Sequence, residues 1–557
     1  MSKHIIYQLF PRTFTNYNTA CVFNGTIEEN GCGKLNYISP KILKEIRRLG
    51  ATHVWYTGVI EHATQTDYSS YGIAKDHPQI VKGKAGSPYA IKDYYDIDAD
   101  LAVDVNKRME EFEALVARTH KAGLKIVLDF VANHVSRQYK SDAKPAGVID
   151  LGENDHPEWA FSPLNNFYYI PGEAFCPPVG FEGEPYYEFP AKATGNDCFS
   201  AHPGKDDWYE TVKLNYGVFY QGGGEKQFNP LPNTWLQMRD ILLFWCGKGI
   251  DTFRCDMAHM VPVEFWGWVT KQVKAQYPQV EFIAEIYDPW LYRQYIFEGG
   301  FDYLYDKVGM YDYLRGVTSK DFTAEGITGQ WQAVEDIQSH MLYFLENHDE
   351  QRIASGFFCG RGSSAEPAMA VAACLGNNPL LIYAGQEVGE RGMDMEGYSG
   401  IDGRTSIFDY WGVKSLQSWA NNGKADGSLL TTGQKELREW YVKLLNLTQT
   451  EPALREGLMF DLEYVQTDNF NKQKQYTFLR ANKKDVILVV VNFDARAVNV
   501  NINIPKAAFT YLGMQEKLFA QLTDLLTGEE LPSQSFSTNM PLQVKVAAWK
   551  AMIIKIV

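Results

Sequence analysis

Several things are scarce in this sequence, and each scarcity closes off a class of function. Its 557 residues hold eight cysteines (Cys21, Cys32, Cys176, Cys198, Cys246, Cys255, Cys359 and Cys374), with no CxxC pair and no Cys/His spacing of the metal-ligand kind. Most read as small buried residues. Cys21–Cys32 and Cys176–Cys198 lie in loop-like stretches and could bridge in an exported protein. Positive charge is short as well: 53 Lys plus Arg stand against 68 Asp plus Glu, a formal charge of -15. Nucleic acids and anionic membranes select basic faces, so neither is expected as a partner. No apolar run approaches the ~20 residues of a membrane span, and no membrane insertion is expected. No targeting core with a cleavage site precedes Ile5. A cytoplasmic location is therefore expected, or an exported one if a leader has been removed. Internal repeats and low-complexity tracts are missing too.

Aromatic residues, in contrast, make up 14% of the chain. Most must be packing, but Tyr, Trp and Phe also suit a cleft that stacks on flat apolar faces such as sugar rings. From Ile5 to about Tyr383, short apolar strand signals alternate with longer helical ones. Ser39-Pro-Lys-Ile-Leu-Lys-Glu-Ile-Arg-Arg-Leu49 shows the pattern: a serine cap, then Ile42, Leu43, Ile46 and Leu49 at helical spacing, then a stop at Gly50. Strands are expected at Ile6–Phe10, Thr52–Thr57, Leu124–Asp129, Ile250–Phe253, Glu281–Glu285, Phe301–Tyr305, Leu342–Glu346 and Pro379–Tyr383. Eight strands with helices between them, reading as continuous apolar runs, imply a parallel sheet closed into a (β/α)8 barrel. One connection is about a hundred residues long, from Asp129 to the helix at Asn233. It predicts a subdomain inserted after the third strand, because structureless loops of that length are rare. After the helix Thr432–Thr448 the period shortens, and Gln475–Arg480, Val486–Asn492, Val498–Ile504, Leu542–Val546 and Ala551–Ile556 read as a C-terminal antiparallel β-sandwich. The expected division is a barrel over 1–133 and 209–450, an inserted subdomain over 134–208, and the sandwich over 451–557.

In such a barrel, catalytic groups sit at the C-terminal strand ends. Four ends carry acids: Asp129-Phe-Val-Ala-Asn-His134 at the third, Asp256 at the fourth, Glu285 at the fifth and Asn347-His348-Asp349 at the seventh. Arg254 and Asp256 are two residues apart and project to the same side of a strand. A guanidinium there keeps a carboxylate ionised, as a carboxylate nucleophile requires. From those two residues alone, a structural ion pair reads equally well. Several acids converging with His134 and His348 sharpen the functional reading, which stays open between metal-assisted hydrolysis and glycosidic chemistry.

Along most of its length the chain resembles the α-amylase family, glycoside hydrolase family 13. The motifs occur in the family's order: Asp129-Phe-Val-Ala-Asn-His134, Phe253-Arg-Cys-Asp256, Ala284-Glu285 and Asn347-His-Asp349. Supporting matches are Gly50-Ala-Thr-His-Val-Trp55, Lys213-Leu-Asn-Tyr216 and Ile382-Tyr-Ala-Gly-Gln-Glu387. The resemblance implies a retaining mechanism on α-1,4-glucosidic bonds of starch, glycogen or maltooligosaccharides. Asp256 would be the nucleophile, Glu285 the acid/base and Asp349 the third carboxylate. Arg254, His134 and His348 would contact or hold the site, Tyr89 would stack on the sugar, and His259 would face the leaving side. Ala90 stands where relatives that clamp a non-reducing end carry an aspartate, which favours a cleft open at both ends. Asn133 matches the family's calcium-binding asparagine, and Asp150, Glu153 or Asp155 could complete such a site. No cofactor is expected for the chemistry, with a structural calcium possible. The alternatives on the same scaffold are a neopullulanase or cyclomaltodextrinase, a 4-α-glucanotransferase, or a non-catalytic carbohydrate-binding relative.

Overall fold

A computed structural model describes residues 3–483 and 485–557. The first expected helix shows how local chemistry sets the architecture. Helix α1, Pro40–Leu49, opens with Ser39 Oγ accepting from the Ile42 amide at 3.3 Å and closes at Gly50 in the left-handed region, φ 113°. A Cβ on Gly50 would also sit 2.9 Å from Leu445 Cβ. The glycine thus ends one helix and lets another come close. The buried stripe is Ile42, Leu43, Ile46 and Leu49, as the spacing predicts.

Eight strands alternate with such helices: β1 Ile5–Leu9, β2 His53–Tyr56, β3 Lys125–Val131, β4 Thr252–Asp256, β5 Glu281–Ala284, β6 Tyr303–Tyr305, β7 Met341–Leu342 and β8 Leu380–Tyr383. Consecutive strands pair in parallel from β1 to β7, and β8 pairs with β1. The parallel bridge Tyr343–Leu380 brings β7 to β8, so the sheet closes into the expected barrel.

Every strand differs from the sequence reading at one end or both, β4 and β7 the most. β4 begins and ends later than expected and includes both Arg254 and Asp256. β7 is cut to two residues. Beyond it Tyr343 makes a single parallel bridge to Leu380, and the buried Glu346 carboxylate accepts from Ile353 N at 2.7 Å and from Arg352 Nη1 at 2.9 Å.

Side-chain alternation separates two cores. Outward-facing Phe130, Phe253 and Phe282 join the large cluster under the helices, while Ile6, Trp55, Val127, Ile283, Leu342 and Leu381 fill the barrel interior. Along the inward rows, apolar residues give way to polar ones at the C-terminal end. Ile6 is followed by Gln8, Val127 by Asp129, and Ile283 by Glu285.

Long excursions leave these same ends. After β2 the chain forms an antiparallel pair, Ile60–His62 with Ile91–Ile97. After β3, His134–Ser136 pairs with Thr211–Lys213 and roots the inserted segment. That segment has its own small core of Phe175, Ala191, Ala201 and Tyr209, to which Ile80 from the preceding excursion is added.

The C-terminal region holds an antiparallel six-stranded sheet in the order β9-β10-β11-β16-β13-β14 and a two-stranded sheet, β12-β15. These strands are β9 Leu458–Asp461, β10 Gln475–Asn482, β11 Asp485–Asn492, β12 Val498–Ile502, β13 Lys517–Asp524, β14 Glu530–Phe536, β15 Leu542–Val546 and β16 Lys550–Ile556. The β9, β13 and β14 strands and the helix Lys506–Leu512 are additions to the sequence reading. β13 and β14 escaped it because neither keeps a clean alternation: β13 exposes Leu518 and Phe519 while burying Ala520 and Leu522, and β14 is mostly polar.

Candidate active site

Arg254 stands fully buried at the centre of the barrel mouth. Its Nη1 lies 2.7 Å from Asp256 Oδ1 and 3.3 Å from Asp129 Oδ1, and its Nη2 lies 2.7 Å from Glu285 Oε2. The register explains this convergence, since Arg254 sits beside Asp129 on β3 and Ile283 on β5, with Glu285 one inward position further. The Tyr305 hydroxyl accepts from Arg254 Nε at 3.2 Å. Glu285 accepts two hydrogen bonds, from the Tyr287 hydroxyl at 2.5 Å on Oε1 and from the Met257 amide at 2.9 Å on Oε2. Met257 takes φ 42°, left-handed for a non-glycine residue. That bend comes directly after Asp256, and the amide that follows it meets the acid of the next strand.

The electrostatics are those of a crowded acid set. Burial pushes the Asp256 carboxyl well above the carboxylate range. Arg254 opposes that push, and Glu285, Asp129 and Asp349 add to it. Burial also pushes Asp129 up to about 6, against Arg254 and a 2.8 Å hydrogen bond from Trp55 Nε1. Asp349 is raised by burial and then by Glu285, but 40% of its side chain is open at the mouth, and solvent screens that rise. One guanidinium faces three carboxyls here, Asp129, Asp256 and Glu285, and cannot neutralise all of them.

Both histidines are neutral. Burial, with Lys213 and Lys82 nearby, pulls His134 down to about 3. Burial and then Arg254 hold His348 well below its ordinary value. Gln8 Nε2 lies 2.8 Å from His348 Nδ1. With that amide donating, His348 Nε2 carries its hydrogen toward Tyr89 Oη at 2.5 Å and Asp349 Oδ2 at 3.1 Å.

A hollow of about 320 Å³ opens over these groups, walled by Tyr89, His134, Asp256, Glu285 and Asp349 together with Trp208, Tyr287 and Phe408. Arg254 and His348 stand behind this wall and hold it. His259 is not part of it: its ring faces that of Tyr287 at 6.2 Å, and its carbonyl accepts from Tyr295 at 3.3 Å. A larger hollow, about 810 Å³ at the seam with the C-terminal sheet, contains none of the strand-end acids. Sequence reasoning missed Gln8, Trp208 and Phe408. Gln8 was detectable as the polar member of an inward row. Phe408 arrives from the loop after β8 with no local signature.

Asn133 is already engaged. Its Oδ1 accepts from Lys213 Nζ, which also donates to the Met260 carbonyl at 3.0 Å and pairs with Asp197 Oδ1 at 2.7 Å. These oxygens surround an ammonium and do not fit a calcium ion in addition. The acids expected to complete such a site are used elsewhere: Asp150 accepts from Ser141 N, Glu153 pairs with Lys144, and Asp155 accepts from Asn166 N and Phe167 N. The eight cysteines are all free thiols, the pairs Cys21–Cys32 and Cys176–Cys198 included.

Fold and site together define a barrel enzyme with carboxylates gathered at its strand ends. More narrowly, the chain belongs to the α-amylase family, whose catalytic-domain model matches residues 8–485. It is 25% identical over 452 residues to the α-1,4-glucan:maltose-1-phosphate maltosyltransferase of Cereibacter sphaeroides, covering 80% of this chain and 54% of that protein. The chain thus spans about half the length of that relative. It is 23% identical over 559 residues to neopullulanase 2 of Thermoactinomyces vulgaris, covering 97% of this chain and 76% of that protein. Among solved structures, a maltogenic α-amylase from Thermotoga neapolitana shares the fold with a TM-score of 0.64 at 19% identity, covering 100% of this chain and 98% of that one. The cyclic α-maltosyl-(1→6)-maltose hydrolase of Arthrobacter globiformis gives 0.63 at 18%, covering 99% and 98%.

Proposed function

We propose that the protein is a retaining glycoside hydrolase acting on α-1,4-glucosidic bonds of starch, glycogen or maltooligosaccharides. The observation that carries this is Arg254 holding Asp256 and Glu285 at 2.7 Å each, under the wall of one hollow. Two carboxyls gathered on one guanidinium support the close spacing of a retaining pair, ~5–5.5 Å, over the wider gap that admits a water between them. Asp256 attacks the anomeric carbon and forms a glycosyl ester, while Glu285 gives its proton to the departing oxygen. Glu285 then takes a proton from water, which breaks the ester and returns Asp256. Asp349, beside the neutral His348, accepts from sugar hydroxyls and favours the oxocarbenium-like transition state. Tyr89, whose ring stacks on His348 at 5.2 Å, offers an aromatic face to the same sugar. The carboxyls supply nucleophile, acid and base, so no cofactor enters these steps, and Lys213 takes the structural cation's place at Asn133.

The hollow's volume is near the lower end for ligand pockets, ~300–1,000 Å³, and supports a second reading in which short or cyclic maltooligosaccharides are preferred to polymer. Both readings are tested by the products formed from starch, cyclodextrin, pullulan and maltotriose. Cleavage of the α-1,4 bonds is expected, with anomeric configuration kept. No cleavage or transfer on any of the four would overturn the proposal. Transfer products in excess of hydrolysis would assign a 4-α-glucanotransferase instead.

A further inference from the structure

The inward rows of the barrel turn polar at their N-terminal ends too, on the side away from the catalytic mouth. His4 precedes Ile6 on the row of β1, His53 precedes Trp55 on β2, and Glu281 precedes Ile283 on β5. One ligand atom from each of His4, His53 and Glu281 lies within 4.8 Å of the other two. Both imidazoles approach the same carboxylate oxygen: His4 Nδ1 is 3.7 Å and His53 Nε2 is 3.9 Å from Glu281 Oε2. These distances are too long for hydrogen bonds.

The hydrogen bonds behind His53 fix its tautomer. Thr52 Oγ1 accepts from Ile5 N at 2.9 Å and donates its own hydrogen to Ile5 O at 3.2 Å. Its 2.7 Å contact with His53 Nδ1 is therefore made by the Nδ1 hydrogen, which leaves a lone pair on Nε2. His53 is 2% exposed, and neither its Nε2 nor Glu281 Oε2 has a hydrogen-bond partner among the described residues. Two buried lone-pair atoms turned on each other repel unless a cation stands between them. Among the described residues no lysine or arginine comes within 4.0 Å of Glu281. Lys125, beside His53 in register, is exposed at the start of β3, and Lys274 is turned to Asp302 at 2.8 Å.

We propose that His4, His53 and Glu281 bind a zinc ion at the N-terminal end of the barrel. Two imidazoles and one carboxylate suit Zn²⁺, whereas Ca²⁺ and Mg²⁺ select oxygen ligands alone. Burial keeps both imidazoles neutral, as metal ligands must be. Zinc–ligand bonds of ~2.0–2.2 Å let two ligand atoms stand up to ~4.2 Å apart, so Glu281 Oε2 can share an ion with each histidine as placed. A small rotation of the partly exposed His4 ring closes the third side. The ligand atoms are free here, in contrast to Asn133 Oδ1, which Lys213 occupies. Supporting contacts are in place as well: Thr52 orients His53 from Nδ1, and the Tyr303 hydroxyl donates to Glu281 Oε1 at 3.3 Å. The side chains of His4 and Glu281 are 18% and 22% exposed, which gives the ion a way in. β1 and β5 stand four strands apart in a closed ring of eight, so the ion braces the barrel across its width.

Full-length protein without a histidine tag, stripped with a chelator and titrated with ZnCl2 by calorimetry and thermal unfolding, tests this. Wild type should take up one Zn²⁺ per chain with a rise in Tm, and equimolar CaCl2 or MgCl2 should not reproduce it. Glu281→Gln and His4→Gln, both at partly exposed positions, should weaken zinc binding by more than the ~10-fold typical of an outer-shell change. Glu281→Gln should leave the stripped protein as stable as wild type or more so, because a carboxylate facing a lone pair has been removed. Lys125→Met takes away a positive charge beside the site and should tighten zinc binding. No uptake and no Tm shift in wild type at millimolar ZnCl2 would overturn the proposal, since Lys125 then balances Glu281 unaided. So would zinc binding unchanged in both Glu281→Gln and His4→Gln, which places the ion elsewhere.

Discussion

At the scale of single residues, the proposed mechanism turns on Glu285 having donors that Asp256 lacks among the described residues. Tyr287 and the Met257 amide position the Glu285 carboxyl, whereas Asp256 is held by Arg254 alone. Glu285→Gln keeps the shape and removes the transferable proton, so kcat on maltooligosaccharides should fall by ~10²–10⁴-fold. The loss should be much smaller on a glycosyl fluoride, whose leaving group needs no proton. A variant as active as wild type on both substrates would remove Glu285 from the acid's role. The strand-end acids were legible in the sequence because each stands in a motif at the end of an apolar run. Gln8 and Lys213 were not assigned their roles, because their partners His348 and Asn133 lie 340 and 80 residues away. His259 was named from its position after Asp256. The short turn Ala258–Met260 that carries it leaves its ring outside the wall of the hollow.

At the scale of elements, the join between barrel and C-terminal sheet hangs on Arg480. This β10 residue is fully buried, and it donates to the carbonyls of Cys374 at 2.6 Å, Gly457 at 2.8 Å and Leu454 at 3.1 Å. Those carbonyls belong to the ends of the helices Glu366–Cys374 and Pro452–Glu456, whose last acceptors lack partners within their own helices. Replacing Arg480 by Met keeps volume but orphans these oxygens, and should cost about 3 kcal/mol of stability in urea unfolding. Catalysis in the surviving folded fraction should be unchanged. An unaltered midpoint would show that water replaces the guanidinium there. The six-stranded sheet itself was only partly legible. Val486–Asn492 reads as a strand because it is buried on both faces, while β13 and β14 pair at an exposed edge with register shifts.

At the scale of the whole molecule, stability in mild acid is set by buried groups whose protonation differs from that in the unfolded chain. His134 is held at about 3 when folded, against an ordinary value of 6.5. Between those values the unfolded chain binds a proton that the native state refuses, so this histidine makes stability fall as pH falls. One such proton is worth about 1.4 kcal/mol per pH unit. Asp129, raised by burial from 3.8 to about 6, acts with the opposite sign, because the native state gains its proton first. His134→Gln should therefore lose less stability than wild type between pH 6 and pH 4, by about one proton's slope in urea midpoints measured across that range. Parallel slopes would mean that His134 is charged in the native state.

The sequence by itself determined the barrel, its strand order and the acids at its mouth, because apolar periodicity and strand-end placement are local properties of the chain. Tertiary structure alone decided that the guanidinium beside Asp256 also gathers Asp129 and Glu285, that a lysine stands at Asn133, and that Glu61, Asp96 and Asp142 come together. Each of these depends on which side chains distant in sequence come within a few ångströms in a low-dielectric interior, and periodicity carries no information about that.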